Sequence, residues 1–159
     1  MDNDEQKLLK AKETFRNICD LLDEKQWAHK KDEEKMSITF TMRGDDIPMD
    51  FKIIVTTPGL VKLFSWLPFK MSKEKTIETV MAINAINCRL VNGNFELDFE
   101  DNTVLFRVTQ AYRDNPLGKE EFLYMVVIST KTVDDYNDKL LMLSKGTLTL
   151  EAFLLELAK

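Results

Sequence analysis

The sequence predicts an α+β fold in which one antiparallel sheet of five strands packs on helices, in the order α-β-β-β-α-β-β-α-α. Apolar residues recur at helical spacing near the start and then alternate with polar residues in several stretches separated by turns. Of the 159 residues, 44% are hydrophobic and 31% are charged, as in soluble globular proteins. A chain of this length buries a core without needing a disulfide or a metal.

The first helix carries a single apolar stripe whose members follow spacings of three and four residues. They are Leu8, Ala11, Phe15, Ile18 and Leu22. Asp2 and Glu5 have the spacing of a capping pair and predict the start of the helix.

Three strands are predicted next, and the first two form a hairpin. Apolar and polar residues alternate from Met36 to Met42, "GDD" supplies a turn, and the alternation resumes from Met49 to Val55. The third strand, "LVKLFSWLPF", carries apolar residues at both odd-numbered and even-numbered positions, and Pro68 is predicted to end it.

A second helix is predicted from about residue 73 to residue 87, with Ser72 as its cap. Its predicted core face consists of Ile77, Val80, Met81, Asn84 and Cys88. A buried amide must be hydrogen-bonded, so Asn84 and Asn87 are interpreted as structural residues that tie the helix to the following turn or strand. The alternative is that these two amides recognise a ligand.

The stretch "NFELDFEDNTVLFRV" predicts a second hairpin. Its carboxylates, Glu96, Asp98 and Glu100, alternate with an apolar face. With Asp101-Asn102 as a two-residue loop, four pairs face each other. They are Phe99 with Val104, Leu97 with Phe106, Phe95 with Val108, and Glu96 with Arg107, the last a structural ion pair.

The last third predicts a long helix beginning near Asn115-Pro116 and ending at Gly146. Its stripe is Phe122, Val126, Ser129, Val133, Tyr136, Leu140 and Leu143. The β-branched run "MVVISTKTV" also suits a buried strand, so residues 119–145 form either one helix or two elements. A short helix that is apolar nearly all round follows at about 148–158.

The charge and the cysteines limit the classes of function. The net charge is −5 without a basic cluster, which argues against a nucleic-acid partner. No apolar run reaches the roughly 18 residues of a membrane span, and the N-terminal stretch lacks the apolar core of a signal peptide. Cys19 and Cys88 are therefore interpreted as reduced core thiols of a cytoplasmic protein, with a reactive thiol or a bridge as alternatives.

Candidate catalytic and metal sites are weak. Alternate strand residues lie roughly 6.5–7 Å apart, a separation at which Glu96, Asp98 and Glu100 could serve a hydrolase or a small-molecule sensor. Because these carboxylates alternate with apolar residues, we interpret them instead as the solvent-exposed side of the hairpin. His29 lies in a charged stretch and is predicted to be a surface residue. No zinc spacing, nucleophile elbow or phosphate loop is present, so the sequence predicts neither an enzyme, nor a metal site, nor a cofactor.

Two apolar surfaces have no predicted cover. If the odd-numbered residues of the third strand face the core, Phe64 and Trp66 lie on the opposite sheet face together with Ile54 and Leu105. The final helix adds a second surface through Phe153 and Leu154, and it packs either on its own chain or on another one. Large exposed apolar patches often mark protein interfaces, so these six residues are candidate partner-binding residues.

The segments "INAINCRLVNGNFELDFEDNTVLFRV" and "VDDYNDKLLMLSKGTLTLEAF" resemble the YbjN family of bacterial proteins. The shared motifs are Asn84 with Asn87, Gly93 with Phe95 and Leu97, Phe106 with Arg107, and Asp134 with Tyr136 and Gly146. The resemblance extends from about Trp27 to Phe153 and implies a single domain over residues 1–159, with the apolar C-terminal helix as a departure from the shortest family pattern.

The family is described as "putative sensory transduction regulators", and its fold is similar to that of type III secretion chaperones. The resemblance implies a non-enzymatic cytoplasmic protein that binds other proteins, with a homodimer as one form, and it transfers no catalytic residue. The leading hypothesis is therefore a regulatory or chaperone-like interaction module with a protein partner and no nucleic-acid or membrane partner.

Overall fold

The computed structural model describes residues 3–57 and 59–158, so Asp2 of the predicted capping pair lies outside the described residues. The elements in chain order are α1 (Asn3–Glu24), β1 (His29–Asp32), β2 (Ser37–Arg43), β3 (Pro48–Thr56), β4 (Leu60–Lys70), α2 (Thr76–Asn87), β5 (Asn94–Leu97), β6 (Thr103–Ala111), α3 (Lys119–Lys145) and α4 (Leu150–Leu157).

The predicted α+β class and the antiparallel sheet packed on helices are confirmed. The sheet order is β1-β2-β3-β4-β6-β5, which gives six strands in the described residues where the sequence predicted five. The strand missed is β1, "HKKD", which pairs with residues 37–40 of β2. All four of its residues are polar, and three of them are charged. The strand conformation therefore comes from this pairing and leaves no apolar alternation in the sequence.

The first predicted hairpin is confirmed, and it builds the core together with α1. Ile38 lies opposite Ile53 and Phe40 opposite Phe51, and all four side chains are buried. The stripe of α1 is buried from Ala11 onwards. The prediction for Leu8 is wrong, since the burial of α1 begins one turn later.

The third predicted strand does not end at Pro68. β4 continues to Lys70, and its register with β6 shifts between Trp66 and Lys70. Proline cannot donate to a sheet ladder, and an irregularity of this kind is where a strand tolerates it.

The second hairpin is confirmed, but its register is wrong by two residues. Phe95 lies opposite Phe106 and Leu97 opposite Val104. A five-residue loop, residues 98–102, replaces the predicted two-residue loop, and the Asp98 amide donates to the Thr103 carbonyl at 2.9 Å. Phe99 therefore lies in this loop and is 69% exposed.

The predicted core face of α2 is wrong. The buried residues are Thr79, Ala82, Ile83 and Ile86, whereas Ile77, Val80, Met81, Asn84 and Cys88 are all exposed. The start of the helix also differs, because a 3-10 turn over Lys73–Lys75 precedes α2 and the Ser72 side chain makes no capping bond. The backbone amide of Ser72 instead donates to Ser144 Oγ at 2.9 Å.

Residues 119–145 form one helix, α3, which Gly146 ends in a left-handed conformation with φ 71°. The helix begins later than the predicted Asn115-Pro116, because α1 holds the preceding segment. The amide of Leu117 donates to Thr14 Oγ1 at 3.0 Å, and its carbonyl accepts from Asn17 Nδ2 at 2.9 Å. The last helix, α4, packs against α2 within the same chain.

Candidate interaction surface

The face of the sheet that points away from the helices carries the candidate aromatic residues. Along β4, Val61, Leu63, Ser65 and Leu67 are buried, and the residues between them point to the other face. Phe64 and Trp66 are half-buried there, with ring centroids 5.7 Å apart and planes 28° from parallel. Leu105 lies directly opposite Trp66 on β6.

Ile54 also lies on this face, on β3, opposite Lys62 of β4. It is half-buried, as Leu105 is. The sheet register therefore brings four of the six candidate partner-binding residues onto one surface. We call Ile54, Phe64, Trp66 and Leu105 the sheet-face cluster.

Basic side chains surround the sheet-face cluster. Lys52 lies directly opposite Phe64, and Lys62 is two residues from Phe64 on the same strand and face. Lys30 extends the row across β1, opposite Thr39. None of these three lysines forms an ion pair with another residue in the described part of the chain.

The acidic groups of this face, in contrast, have partners of their own. Thr41 Oγ1 donates to Asp50 Oδ1 at 2.6 Å. Glu96 forms an ion pair with Arg107 and also accepts from Asn94 Nδ2 at 2.9 Å. Asp50 lies directly opposite Trp66, and the Thr41 hydroxyl does not neutralise its charge. The three lysines outnumber this carboxylate, so the net charge beside the aromatic pair is positive, although the chain as a whole has a net charge of −5.

A groove of about 610 Å³ opens beside Trp66. It is lined by Trp66 and by residues 28–30, 39–41 and 50–52, so it runs over β1, β2 and β3. This volume is within the range of sites that accept small ligands or side chains of a partner. Lys30 and Lys52 border it together with Asp50, so the groove has a charged rim in which the basic groups outnumber the acidic one.

The three carboxylates of the catalytic alternative do not share a strand face. Only Glu96 belongs to β5, whereas Asp98 and Glu100 lie in the following loop. Asp98 Oδ1 accepts the backbone amide of Glu100 at 2.8 Å, which is a turn-stabilising contact. In the same loop, the hydrogen bond from Lys70 Nζ lowers the pKa of Asp101 to about 2.

The two asparagines of α2 have different environments. Asn87 binds the backbone of Phe95 on both sides, because its Oδ1 accepts from the amide at 2.9 Å and its Nδ2 donates to the carbonyl at 3.0 Å. This places the amide along the free edge of β5, where it occupies the hydrogen-bonding groups that another strand would use. The prediction that Asn84 is buried is wrong, because its side chain is exposed.

The final helix carries the last two candidate partner-binding residues, Phe153 and Leu154, which differ in burial. Phe153 is completely buried in the core, so the prediction that it forms part of an accessible surface is wrong. The sequence could not predict which of these two residues is buried, because α4 is apolar on nearly every side. Leu154 is 37% exposed and remains accessible.

The predicted surface position of His29 and the predicted burial of Cys88 are also wrong. His29 lies opposite Phe40 in β1, its side chain is 10% exposed, and its Nδ1 is 3.0 Å from the Trp27 carbonyl oxygen. Cys19 is buried, and burial raises the pKa of its thiol. Cys88, predicted to be in the core, is exposed.

Within residues 3–57 and 59–158, no three His, Cys, Asp or Glu side chains lie close enough together to hold a metal ion. None of the helices described in this structure is long and apolar enough to cross a membrane.

Sequence reasoning missed the lysines around the sheet-face cluster and the exposed face of α2. The lysines could have been found from strand parity, since Lys52 and Lys62 share the parity of Ile54 and Phe64. Lys30 could not, because β1 itself was not predicted.

Comparison with known proteins agrees with this architecture. The family model "YbjN: Putative bacterial sensory transduction regulator" matches residues 14–142. The crystal structure of YbjN, "a putative transcription regulator from E. coli", is similar with a TM-score of 0.60 and 12% sequence identity, over 79% of this chain and 92% of that chain. No curated protein matches the chain. At this identity the structural likeness shows the fold, whereas the family model covers most of the sequence, and the chain belongs to the YbjN family.

Proposed function

We propose that this protein is a non-enzymatic regulator of the bacterial cytoplasm that acts by binding another protein through the sheet-face cluster. The observation that carries the proposal is the stacked Phe64–Trp66 pair on a sheet face that none of the helices in the described residues covers. The description of the family as regulators supports the regulatory part of the proposal.

The aromatic pair has the character of a binding anchor. Trp and other large aromatic side chains are enriched among the few interface residues that contribute most of the binding free energy. Phe64 and Trp66 are fixed on a central strand and on each other, so little conformational entropy is lost when a partner covers them. The groove beside Trp66 offers space for a side chain of the partner.

The charges define the chemistry of the partner. Lys30, Lys52 and Lys62 give the surroundings of the aromatic pair a local positive charge on an acidic protein. A protein segment with apolar side chains flanked by Asp or Glu fits this arrangement, because its acids meet the lysines while its apolar groups cover the rings. Binding of such a segment weakens as the salt concentration rises.

The test compares Trp66→Ala with Tyr124→Ala. Tyr124 is an exposed aromatic residue of α3, so its removal controls for a general loss of aromatic surface. Partners are recovered from lysate of the source organism with the wild-type protein, and the affinity of the recovered partner is then measured by titration calorimetry. We expect Trp66→Ala to weaken binding by roughly 30-fold, the effect of about 2 kcal/mol at a hot spot, and Tyr124→Ala to leave it unchanged.

Thermal unfolding of each variant shows whether the fold is retained. A double charge reversal, Lys52→Glu with Lys62→Glu, should also weaken binding and reduce its dependence on salt. A partner that binds the folded Trp66→Ala variant as tightly as the wild type would refute the proposal.

A further inference from the structure

A second groove runs along α3, on the side of the sheet where the helices pack. Its volume is about 520 Å³, within the range of sites that accept small ligands. Trp27, in the segment after α1, and Met42 of β2 line one side of it, and Leu123 and Val127 of α3 line the other. We call it the α3 groove. It lies on the opposite side of the sheet from the sheet-face cluster.

The polarity of the α3 groove changes along the helix. Leu123, Val126 and Val127 make its first part apolar, whereas Asp134 and Asp135 make its last part acidic. From Leu123 to Asp134 the helix rises by roughly 16 Å. The groove therefore has an apolar end and an acidic end that one elongated ligand can reach together.

The acidic end is built around Asp134. Its Oδ1 accepts the backbone amide of Asp45 at 3.2 Å, which holds the β2–β3 turn against α3. Gly44 permits this approach, because a Cβ atom at that position would lie 2.3 Å from the same oxygen. Burial and the nearby carboxylates of Asp45, Asp46 and Asp135 raise the pKa of Asp134. Four carboxylates thus lie close together where the groove ends.

Two lysines, Lys25 and Lys131, also line the α3 groove. In the part of the chain that the structure describes, neither lysine and none of the four carboxylates belongs to an ion pair. The four carboxylates outnumber the two ammonium groups, so the charge around the groove is negative.

These features define the chemistry of an occupant. The apolar walls favour a hydrophobic body, and the carboxylates favour a positive charge, which relieves their mutual repulsion. A metal ion does not fit, because no three His, Cys, Asp or Glu side chains of residues 3–57 and 59–158 lie close enough together to hold one. A polyamine does not fit either, because Lys25 and Lys131 repel additional ammonium groups along the groove.

We propose that the α3 groove binds an organic monocation, a molecule with one protonated amine and an apolar body. The ammonium group meets the carboxylates of Asp134 and Asp45, and the apolar body lies against Trp27, Leu123 and Val127. This site shares no residue with the sheet-face cluster, so the inference goes beyond the proposed function and does not depend on it.

The test uses 4-phenylbutylamine, which combines a single ammonium group with an apolar body. Its controls are 4-phenylbutanol and 4-phenylbutyrate, the neutral and anionic molecules of similar shape. Trp66→Phe leaves Trp27 as the only tryptophan of the chain, so the fluorescence of this variant reports on the groove. We expect the amine to change the fluorescence with a Kd on the order of 1 mM, as suits so small a ligand. The alcohol and the carboxylate should bind at least about 10-fold more weakly.

Two substitutions in this background locate the charge that matters. Asp134→Asn removes the charge but keeps an oxygen that accepts the Asp45 amide, so the fold should be retained. It should weaken binding of the amine by about 10-fold and leave binding of the alcohol unchanged. Asp138→Asn is the matched control, an exposed acid of the same helix that does not line the groove, and it should change the affinity by no more than about twofold.

Thermal unfolding provides a second measurement on the wild-type protein. At ten times its Kd, the amine should raise the unfolding temperature by a few degrees, and it should raise that of Asp134→Asn less. Equal affinity for the amine and the alcohol, unweakened binding of the amine by folded Asp134→Asn, or the absence of binding in both measurements would each overturn the proposal. Displacement of the amine by an equal concentration of calcium chloride would also overturn it, in favour of an inorganic cation at the carboxylates.

Discussion

Asn87 and Asn84 lie one turn apart in the same helix, yet only Asn87 makes contacts on which the fold depends. Its amide satisfies both backbone groups of Phe95 at the edge of β5, whereas Asn84 is exposed. The sequence predicted a structural role for both residues. It could not tell them apart, because the distinction depends on where the backbone of β5 passes.

This difference leads to a prediction for two otherwise equivalent substitutions. Asn87→Ala leaves the amide and carbonyl of Phe95 without their partners and should lower the free energy of unfolding by about 1–3 kcal/mol. Asn84→Ala should change it by no more than about 0.5 kcal/mol. Urea unfolding monitored by circular dichroism measures both, under conditions in which all variants share one oligomeric state. Equal effects of the two substitutions would contradict the assignment.

In the second hairpin, the predicted ion pair is confirmed, whereas the predicted register is wrong. The pairing of Glu96 with Arg107 was predicted and is present, although the two residues are diagonal rather than directly opposite. The predicted register failed because the carboxylates of Asp98 and Asp101 accept backbone amides and stabilise a five-residue loop. Hydrogen bonds of this kind, between side chains and backbone amides, compete with the two-residue hairpin turn. Residue spacing alone does not predict which of the two loops forms.

At the scale of elements, the helices show what amphipathic pattern can and cannot predict. Six of the seven predicted stripe residues of α3 are buried and Tyr136 is half-buried. The prediction succeeded because most of the exposed positions of this helix are charged, although Tyr124, Val127 and Met142 are also exposed. In α2 both faces are apolar, with Ile77 and Met81 on one and Ile83 and Ile86 on the other, and the sequence favoured the wrong one. The packing of α2 against β5, α3 and α4 determines which face is inside.

The assignment of α4 to its own chain is testable through two neighbouring residues. Phe153 is fully buried, so Phe153→Ala should lower the free energy of unfolding by about 3–5 kcal/mol. Leu155 is 62% exposed, and Leu155→Ala should change it by about 0.5 kcal/mol or less. Denaturant unfolding of both variants at low protein concentration measures the difference. A small effect of Phe153→Ala would mean that α4 does not pack as described.

At the scale of the whole molecule, the fold separates two surfaces of different character. The sheet-face cluster is aromatic and surrounded by lysines, and it lies on the side of the sheet away from the helices. The exposed face of α2, which carries Ile77, Val80 and Met81, is apolar and lies on the outer side of a helix that packs against β5, α3 and α4. The first surface followed from strand parity in the sequence, while the second became apparent only from the tertiary packing.

The central claim is that the sheet-face cluster binds a protein partner. The most direct test is native mass spectrometry of the complex formed with the recovered partner. At a partner concentration a few times the wild-type Kd, we predict mainly the complex for the wild type and for Tyr124→Ala, and mainly partner-free protein for Trp66→Ala, whose binding is roughly 30-fold weaker. An equal fraction of complex for folded Trp66→Ala and for the wild type under these conditions would contradict the claim.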